Sequence, residues 1–330
     1  MNGTFRRAGG PHPRTGRCRR GPAASLSAPL RPLPVPLEPP AVRPFHPGQG
    51  SPRLRAMAPS VRLTSPEHCF DVIAGRRLHH LDYGGDGEPV VLLHGVGGTA
   101  WVWHAVAPLL AATHRVVSVD LRGFGLSERS PEHAYSTDEL AGDVIELLDR
   151  RGLGLPALVG FSWGALVALA VATRRPVRRV TIVDLAPSSP LGETDVAALP
   201  YRSTSHEAAV AQERALAPRA TAEMLERTVS LLTVPATDGS SALVRAIDPF
   251  FLDRWPFRSD DRWAELAAVT VPVLVVRGGE SPVLPADIAA RMATTAPDGR
   301  LVTIPDCGHL VPVEQPGPLA AAVAAFLAAS

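Results

Sequence analysis

Ser162 is the residue from which this sequence is best read. It lies in Gly160-Phe161-Ser162-Trp163-Gly164, a G-x-S-x-G pattern. Three fixed residues are a weak signal alone, but their context raises them. The pattern follows the apolar run Ala157–Phe161 and opens an apolar stretch, Trp163–Thr173. A serine on a sharp strand-to-helix turn projects its hydroxyl beyond the sheet, and flanking glycines allow the two elements to close up. A hydroxyl is a poor nucleophile at neutral pH and needs a general base. Of 11 histidines, only His206 and His309 follow Ser162. His206 sits in a stretch without strands. His309, in Asp306-Cys307-Gly308-His309-Leu310, follows the last strand-like run and precedes the last helical pattern. That places it at the same sheet edge as Ser162. The plainer reading of His309 is a loop histidine capping the last helix.

Attack by a hydroxyl on a carbonyl generates an oxyanion, which two backbone N–H groups must receive. One is expected from Trp163, directly after the serine. The other is expected from Val96, in His94-Gly95-Val96-Gly97-Gly98. A phosphate-binding role for this loop would need G-x-G-x-x-G or a lysine-bearing loop, and neither fits. His79 and His80 alternate across a strand and cannot share one metal. There is no H-E-x-x-H pattern. The sequence implies no metal and no cofactor.

These residues need a scaffold, and the hydropathy pattern supplies one. Cys69–Ile73 and Arg77–Tyr83 read as a hairpin about Ala74-Gly75. Apolar runs follow at Val90–Leu93, Val116–Val119, Ala157–Phe161, Val180–Val183, Val273–Val276 and Leu301–Ile304. Strands buried on both faces read this way. Helical patterns lie between them at Trp101–Ala112, Thr137–Arg151 and Trp163–Thr173, with Pro318–Ala329 closing the chain. Ser136 and Glu139 form a capping box. The expected fold is α/β, a mostly parallel central sheet flanked by helices. From about 187 to 268 the rhythm breaks into helical patches, Glu207–Leu216 and Thr221–Leu232, without a buried strand. This reads as an inserted helical lid over a site.

With Asp120-Leu121-Arg122-Gly123-Phe124-Gly125-Leu126-Ser127 added, a D-x-R-G-x-G-x-S pattern, the chain resembles the α/β-hydrolase family. The likeness runs over about residues 68–329. Its motifs are specific for fold and much less so for substrate. The resemblance implies a Ser–His–acid triad. In most of the family the acid follows the seventh strand in a pattern like R-G-x-x-D. Here the stretch reads Arg277-Gly278-Gly279-Glu280-Ser281-Pro282, with Ser281 at the acid position. Haloalkane dehalogenases and some small esterases place the acid after the sixth strand instead. There the chain has Asp184. The candidates are therefore Asp184, with Glu280 as the alternative, and a site without an acid stays open. Asp184 also reads as a strand-end cap. Serine rather than aspartate at the elbow argues against dehalogenase and epoxide-hydrolase chemistry.

The implied activity is a serine hydrolase acting on a carboxylic ester, lactone or thioester of a small to medium apolar substrate. Trp101, Phe161, Phe250 and Trp255 are candidate pocket residues, with core packing as their plainer role. Similar sequences also support carbon–carbon bond hydrolysis or cofactor-free haloperoxidase-type chemistry. From another class comes a non-enzymatic ligand-binding protein on the same fold.

Charge is unevenly spread. The 330 residues carry 33 basic groups, all arginine, against 32 acidic ones, a net +1. Residues 1–56 hold ten arginines, twelve prolines and one acid, Glu38, giving +9; the remainder is −8. Proline and the scarcity of large apolar residues keep this first segment from folding alone. Its prolines break any signal-peptide core or amphipathic transit helix. Met57 is expected to be the native start, with the Pro/Arg-rich 1–56 as translated upstream sequence or, as the alternative, a disordered arm, ahead of a hydrolase domain over 57–330. Cys18, Cys69 and Cys307 are too few and scattered for a disulfide framework. No apolar run of about 18 residues is present. A small-molecule substrate is expected as the partner, not nucleic acid or a membrane, in a cytoplasmic setting.

Overall fold

The apolar runs pair into one sheet in a computed structural model of the chain, which describes residues 65–188, 200–252 and 254–329. The segment 1–56, Met57 and part of the insertion, residues 189–199, lie outside the described residues.

The strands are β1 (Glu67–Ile73), β2 (Arg76–Asp82), β3 (Pro89–Leu93), β4 (Arg115–Val119), β5 (Ala157–Phe161) and β6 (Arg179–Val183). Three short ones follow, β7 (Arg202–Ser203), β8 (Thr233–Pro235) and β9 (Leu243–Arg245), then β10 (Val273–Gly278) and β11 (Gly299–Ile304). Eight of them form a sheet in the order β1-β2-β4-β3-β5-β6-β10-β11. β1 and β2 pair antiparallel, as does β2 with β4; every other pair is parallel. The central strands are buried on both faces, so their sequences show no polar alternation.

The helices are α1 (Ala107–Ala111), α2 (Thr137–Arg150), α3 (Trp163–Ala172), α4 (His206–Leu216) and α5 (Ala222–Leu232). They continue with α6 (Trp263–Ala268), α7 (Ala286–Thr295), α8 (Val311–Glu314) and α9 (Pro316–Ala328). α2, α3, α6 and α7 cover one face of the sheet; α1 and α9 cover the other. α3 is buried from Trp163 to Val171, which explains its lack of a polar stripe. The capping box forms as expected. The Glu139 N–H donates to the Ser136 side chain, and Glu139 accepts from the Ser136 N–H at 2.8 Å.

Two expectations need correction. A single helix over 101–112 does not form. A 3-10 turn, Ala100–Trp103, starts under the Thr99 hydroxyl, and α1 begins afresh at Ala107 with Pro108 in its first turn. Proline lacks an N–H and is accepted there but not deeper in a helix. The insertion also contains strands: β7, β9 and β8 form a small antiparallel sheet. Strands of two or three residues are too short to leave an apolar run in the sequence.

Candidate active site

The parallel strands all point their carboxyl ends to one edge, where open α/β sheets gather functional loops. The chain leaves β5 through Ser162, whose φ of 51° and ψ of −128° put a non-glycine residue in the left-handed half of backbone space. Such a conformation costs on the order of 1–3 kcal/mol and is held only by its surroundings. Here the Ser162 N–H donates to the Val183 carbonyl at 2.9 Å, and α3 packs directly behind it. A Cβ on Gly164 would lie 2.3 Å from the Leu93 carbonyl oxygen, so only glycine lets α3 approach β3 this closely.

Three side chains meet at this edge. His309 Nε2 lies 3.2 Å from Ser162 Oγ, and His309 Nδ1 lies 2.8 Å from Asp184 Oδ2. An ionised carboxylate can only accept, so Nδ1 carries the proton and Nε2 presents its lone pair to the serine hydroxyl. Asp184 is fully buried. Its Oδ1 accepts from the Gly278 N–H at 2.8 Å, and its Oδ2 also accepts from the Ser281 hydroxyl at 2.5 Å. Three donors thus compensate a carboxylate taken out of water.

Glu280 is elsewhere. Its half-exposed side chain pairs with Arg219 from the insertion, while its N–H donates to the Cys307 carbonyl at 2.8 Å. The loop turns Glu280 outward and Ser281 inward toward Asp184.

Trp163 occupies the first position of α3, where a helix leaves its N–H without an intrahelical partner. The facing loop, His94 to Gly98, is shaped by three bonds. The Gly98 N–H donates to the Gly95 carbonyl at 3.2 Å, and His94 Nδ1 bonds the same oxygen at 2.8 Å. Arg245 Nη1 donates to the Gly97 carbonyl at 3.0 Å. Val96 lies between these anchors. A Cβ on Gly95 would be 2.6 Å from Ser162 Cβ, so this loop sits directly against the Ser162 turn.

A cavity of about 50 Å³ adjoins Val96 and Phe161. Val102, Leu216, Leu232 and Leu310 supply more of its apolar wall; Thr228, Glu213 and Arg245 supply polar groups. Of the expected pocket residues, only Phe161 reaches it. Phe250 and Trp255 instead line a surface groove with His133, Tyr135 and Arg258. Phe250 stacks on His133 there, which satisfies its ring away from the cavity. Trp101 packs against His68 beside β1. The Trp163 indole is buried in the core, with Nε1 donating to Thr137 Oγ1 at 2.8 Å. Sequence reasoning missed Thr228, Glu213 and Arg245. Each is an ordinary polar residue until the insertion folds over the loops, and no spacing rule marks it.

The D-x-R-G-x-G-x-S segment stays structural. Asp120 accepts from the N–H groups of Ala100 (2.5 Å) and Leu126 (2.9 Å), and Arg122 pairs with the buried Asp143 at 2.5 Å. It fastens the loop after β4 to the start of the 3-10 turn that follows the Gly95–Gly98 loop.

The model of the alpha/beta hydrolase fold family matches residues 88–316, from β3 into the start of α9. The chain belongs to the α/β-hydrolase family. Among its relatives is the 2-hydroxymuconate semialdehyde hydrolase of Pseudomonas sp. (strain CF600), 30% identical over 80% of this hydrolase and 95% of that protein. Another is the dihydrolipoyllysine-residue acetyltransferase component of the acetoin cleaving system of Pseudomonas putida. It is 31% identical over 73% of this chain, which spans 64% of that relative's length. Among solved structures, E-2-(acetamidomethylene)succinate hydrolase superimposes with a TM-score of 0.73 at 25% identity, covering 80% of this hydrolase and 100% of that chain. Among the described residues no helix is long and apolar enough to cross a membrane.

Proposed function

We propose that this α/β hydrolase is a serine hydrolase that cleaves a carboxylic ester, lactone or thioester through an acyl-enzyme. The observation that carries the reading is the hydrogen-bonded run from Ser162 Oγ through His309 to Asp184. In this mechanism His309 Nε2 takes the hydroxyl proton as Ser162 Oγ bonds to the carbonyl carbon. The carbonyl oxygen becomes an oxyanion held by the Val96 and Trp163 N–H groups. Asp184 keeps the imidazole in its tautomer and offsets its charge. His309 then gives the proton to the departing alcohol or thiol. Water repeats the sequence on the acyl-enzyme and frees Ser162. The small cavity beside Val96 supports a short acyl group.

A second reading, carbon–carbon bond hydrolysis by the same three side chains, is favoured by the likeness to the 2-hydroxymuconate semialdehyde hydrolase. A panel of phenyl esters of increasing acyl length, run beside 2-hydroxymuconate semialdehyde, separates the two. Ester turnover that ends in Ser162→Ala supports the first reading. Turnover of the semialdehyde alone selects the second, and full ester activity in Ser162→Ala removes both.

A further inference from the structure

The insertion offers the cavity a hydroxyl that the protein itself does not use. Thr228 lies in α5, is 1% exposed and lines the cavity, and its Oγ1 has no hydrogen-bond partner among the described residues. A helical threonine or serine normally satisfies its hydroxyl on the carbonyl four residues back. Its neighbours do so: Ser230 donates to the Glu226 carbonyl at 2.9 Å and Thr233 to the Val229 carbonyl at 2.7 Å. Thr228 departs from this habit where the helix meets the cavity. An unpartnered buried hydroxyl is costly, so a ligand that pairs with it gains what the fold forgoes.

We infer that Thr228 is a specificity residue, selecting a short acyl chain that carries a neutral oxygen beyond the scissile carbonyl, a hydroxyl or keto group. This rests on the serine-hydrolase reading above. Three observations point to that class. The rest of the wall is apolar apart from Arg245 and Glu213, so the polar demand is local. A cavity of about 50 Å³ is small, so it suits a short chain rather than a long one. The buried Arg245 guanidinium is already neutralised by Glu213 and already bonds the Gly97 and Pro200 carbonyls. An added carboxylate would therefore be buried as a net charge, which is disfavoured. A neutral oxygen accepts from the Thr228 hydroxyl without that penalty. A site built to hydrogen-bond a substrate oxygen discriminates against the analogue that lacks it.

The test compares phenyl butyrate with its 2-hydroxy, 3-hydroxy and 3-oxo derivatives on wild type, Thr228→Val, Thr228→Ser and Ser162→Ala. Wild type is expected to favour at least one oxygenated ester over butyrate by about tenfold or more in kcat/KM. Thr228→Val should bring the ratio of kcat/KM for the oxygenated ester over butyrate down to about one, and Thr228→Ser should retain the preference. Because valine removes an unpartnered hydroxyl, Tm should hold or rise. Equal preference in wild type and Thr228→Val, or a Tm that falls in Thr228→Val alone, overturns the inference and leaves the serine-hydrolase reading standing. Unchanged turnover in Ser162→Ala, or turnover of none of the esters by wild type, overturns both.

Discussion

Ser281 donates its hydroxyl to Oδ2 of Asp184 at 2.5 Å, reaching across from the loop after β10, the seventh strand of the main sheet, to the residue after β6. The usual acid position in the family and the carboxylate on His309 are thus joined by one hydrogen bond. A serine there completes the set of three donors to Asp184, one strand away. Its hydroxyl also accepts from the Val283 N–H at 3.1 Å, tying the loop to its own next turn.

The consequence for mutation is graded. Ser281→Ala removes one of three donors to a buried carboxylate, and kcat should fall about tenfold with KM little changed. Asp184→Asn removes the charge and favours the wrong imidazole tautomer, and kcat should fall by about 10⁴. Glu280→Gln should stay within about twofold, since it alters only a half-exposed ion pair. Steady-state kinetics on the three variants checks the order; a dead Glu280→Gln with an active Asp184→Asn would reverse the assignment.

How much of this was legible beforehand follows from the range of each interaction. Ser162, Trp163 and the Val96 loop are fixed by contacts within a few residues, so a short motif carries them. His309 and Asp184 needed only the rule that loops at the carboxyl edge of a parallel sheet converge. The preference for Asp184 over Glu280 rests on the R-G-x-x-D spacing, which puts Ser281 at the usual acid position, while the outward turn of Glu280 depends on how one loop folds. Arg245, Glu213 and Thr228 reach the cavity only when α4, α5 and β9 fold over the Gly95–Gly98 loop. Arg245 and Glu213 are 32 residues apart in a segment whose strands are too short to show a pattern. Aromatic residues misled for the opposite reason. Phe250 and Trp255 are apolar enough for a pocket, but other rings claim them first.

Close approach separates two glycines that look alike in sequence. On Gly95, a Cβ meets mainly the Ser162 side chain, at 2.6 Å from Cβ and 3.2 Å from Oγ. Gly95→Ala must push the Ser162 turn aside, because Ser162 Cβ cannot rotate away, so it should lose at least about 10²-fold in kcat and lower Tm less than Gly164→Ala does. On Gly164, a Cβ meets the carbonyl oxygens of Leu93 at 2.3 Å and His94 at 2.6 Å, which cannot yield separately. Gly164→Ala should therefore lose soluble yield and Tm before any kinetic effect can be read. Thermal melts beside kcat distinguish them, and a Gly95→Ala variant with full activity would contradict the geometry.

The insertion is tied to the Gly95–Gly98 loop through charge. Arg245 and Glu213 are both buried, and Arg245 spends one N–H on the Gly97 carbonyl. Arg245→Ala leaves Glu213 buried without its partner, a loss on the order of 3–5 kcal/mol. Replacing both, as Arg245→Met with Glu213→Leu, should restore most of that stability, since apolar side chains of similar size can substitute for a buried pair. It should not restore kcat, because the Gly97 carbonyl remains unheld and the loop bearing the Val96 N–H loosens. Denaturant melts and kcat on the single and double variants measure both halves; recovery of full activity in the double variant would show the loop needs no such anchor.

Two buried histidines set an acid limit on the fold. Burial, then the nearby Arg151, brings His80 down to about 4, partly offset by Asp71 at 3.7 Å and Asp82, with His79 adding to the depression. Burial likewise brings His104 to about 4, with Arg227 adding to it; a bond to the Trp101 carbonyl opposes it. In the unfolded chain both take a proton near pH 6.5, and in the folded protein they resist until about pH 4. The unfolded state therefore binds more protons between those values, so stability must fall as pH drops from 6.5 toward 4. Each group accounts for on the order of 3 kcal/mol by the lower end. His104→Gln cannot titrate and keeps a donor for the Trp101 carbonyl, so its unfolding free energy should show a visibly shallower slope over this window. Urea melts at half-unit pH steps give the comparison, and a slope as steep as wild type would mean His104 is protonated in the native fold.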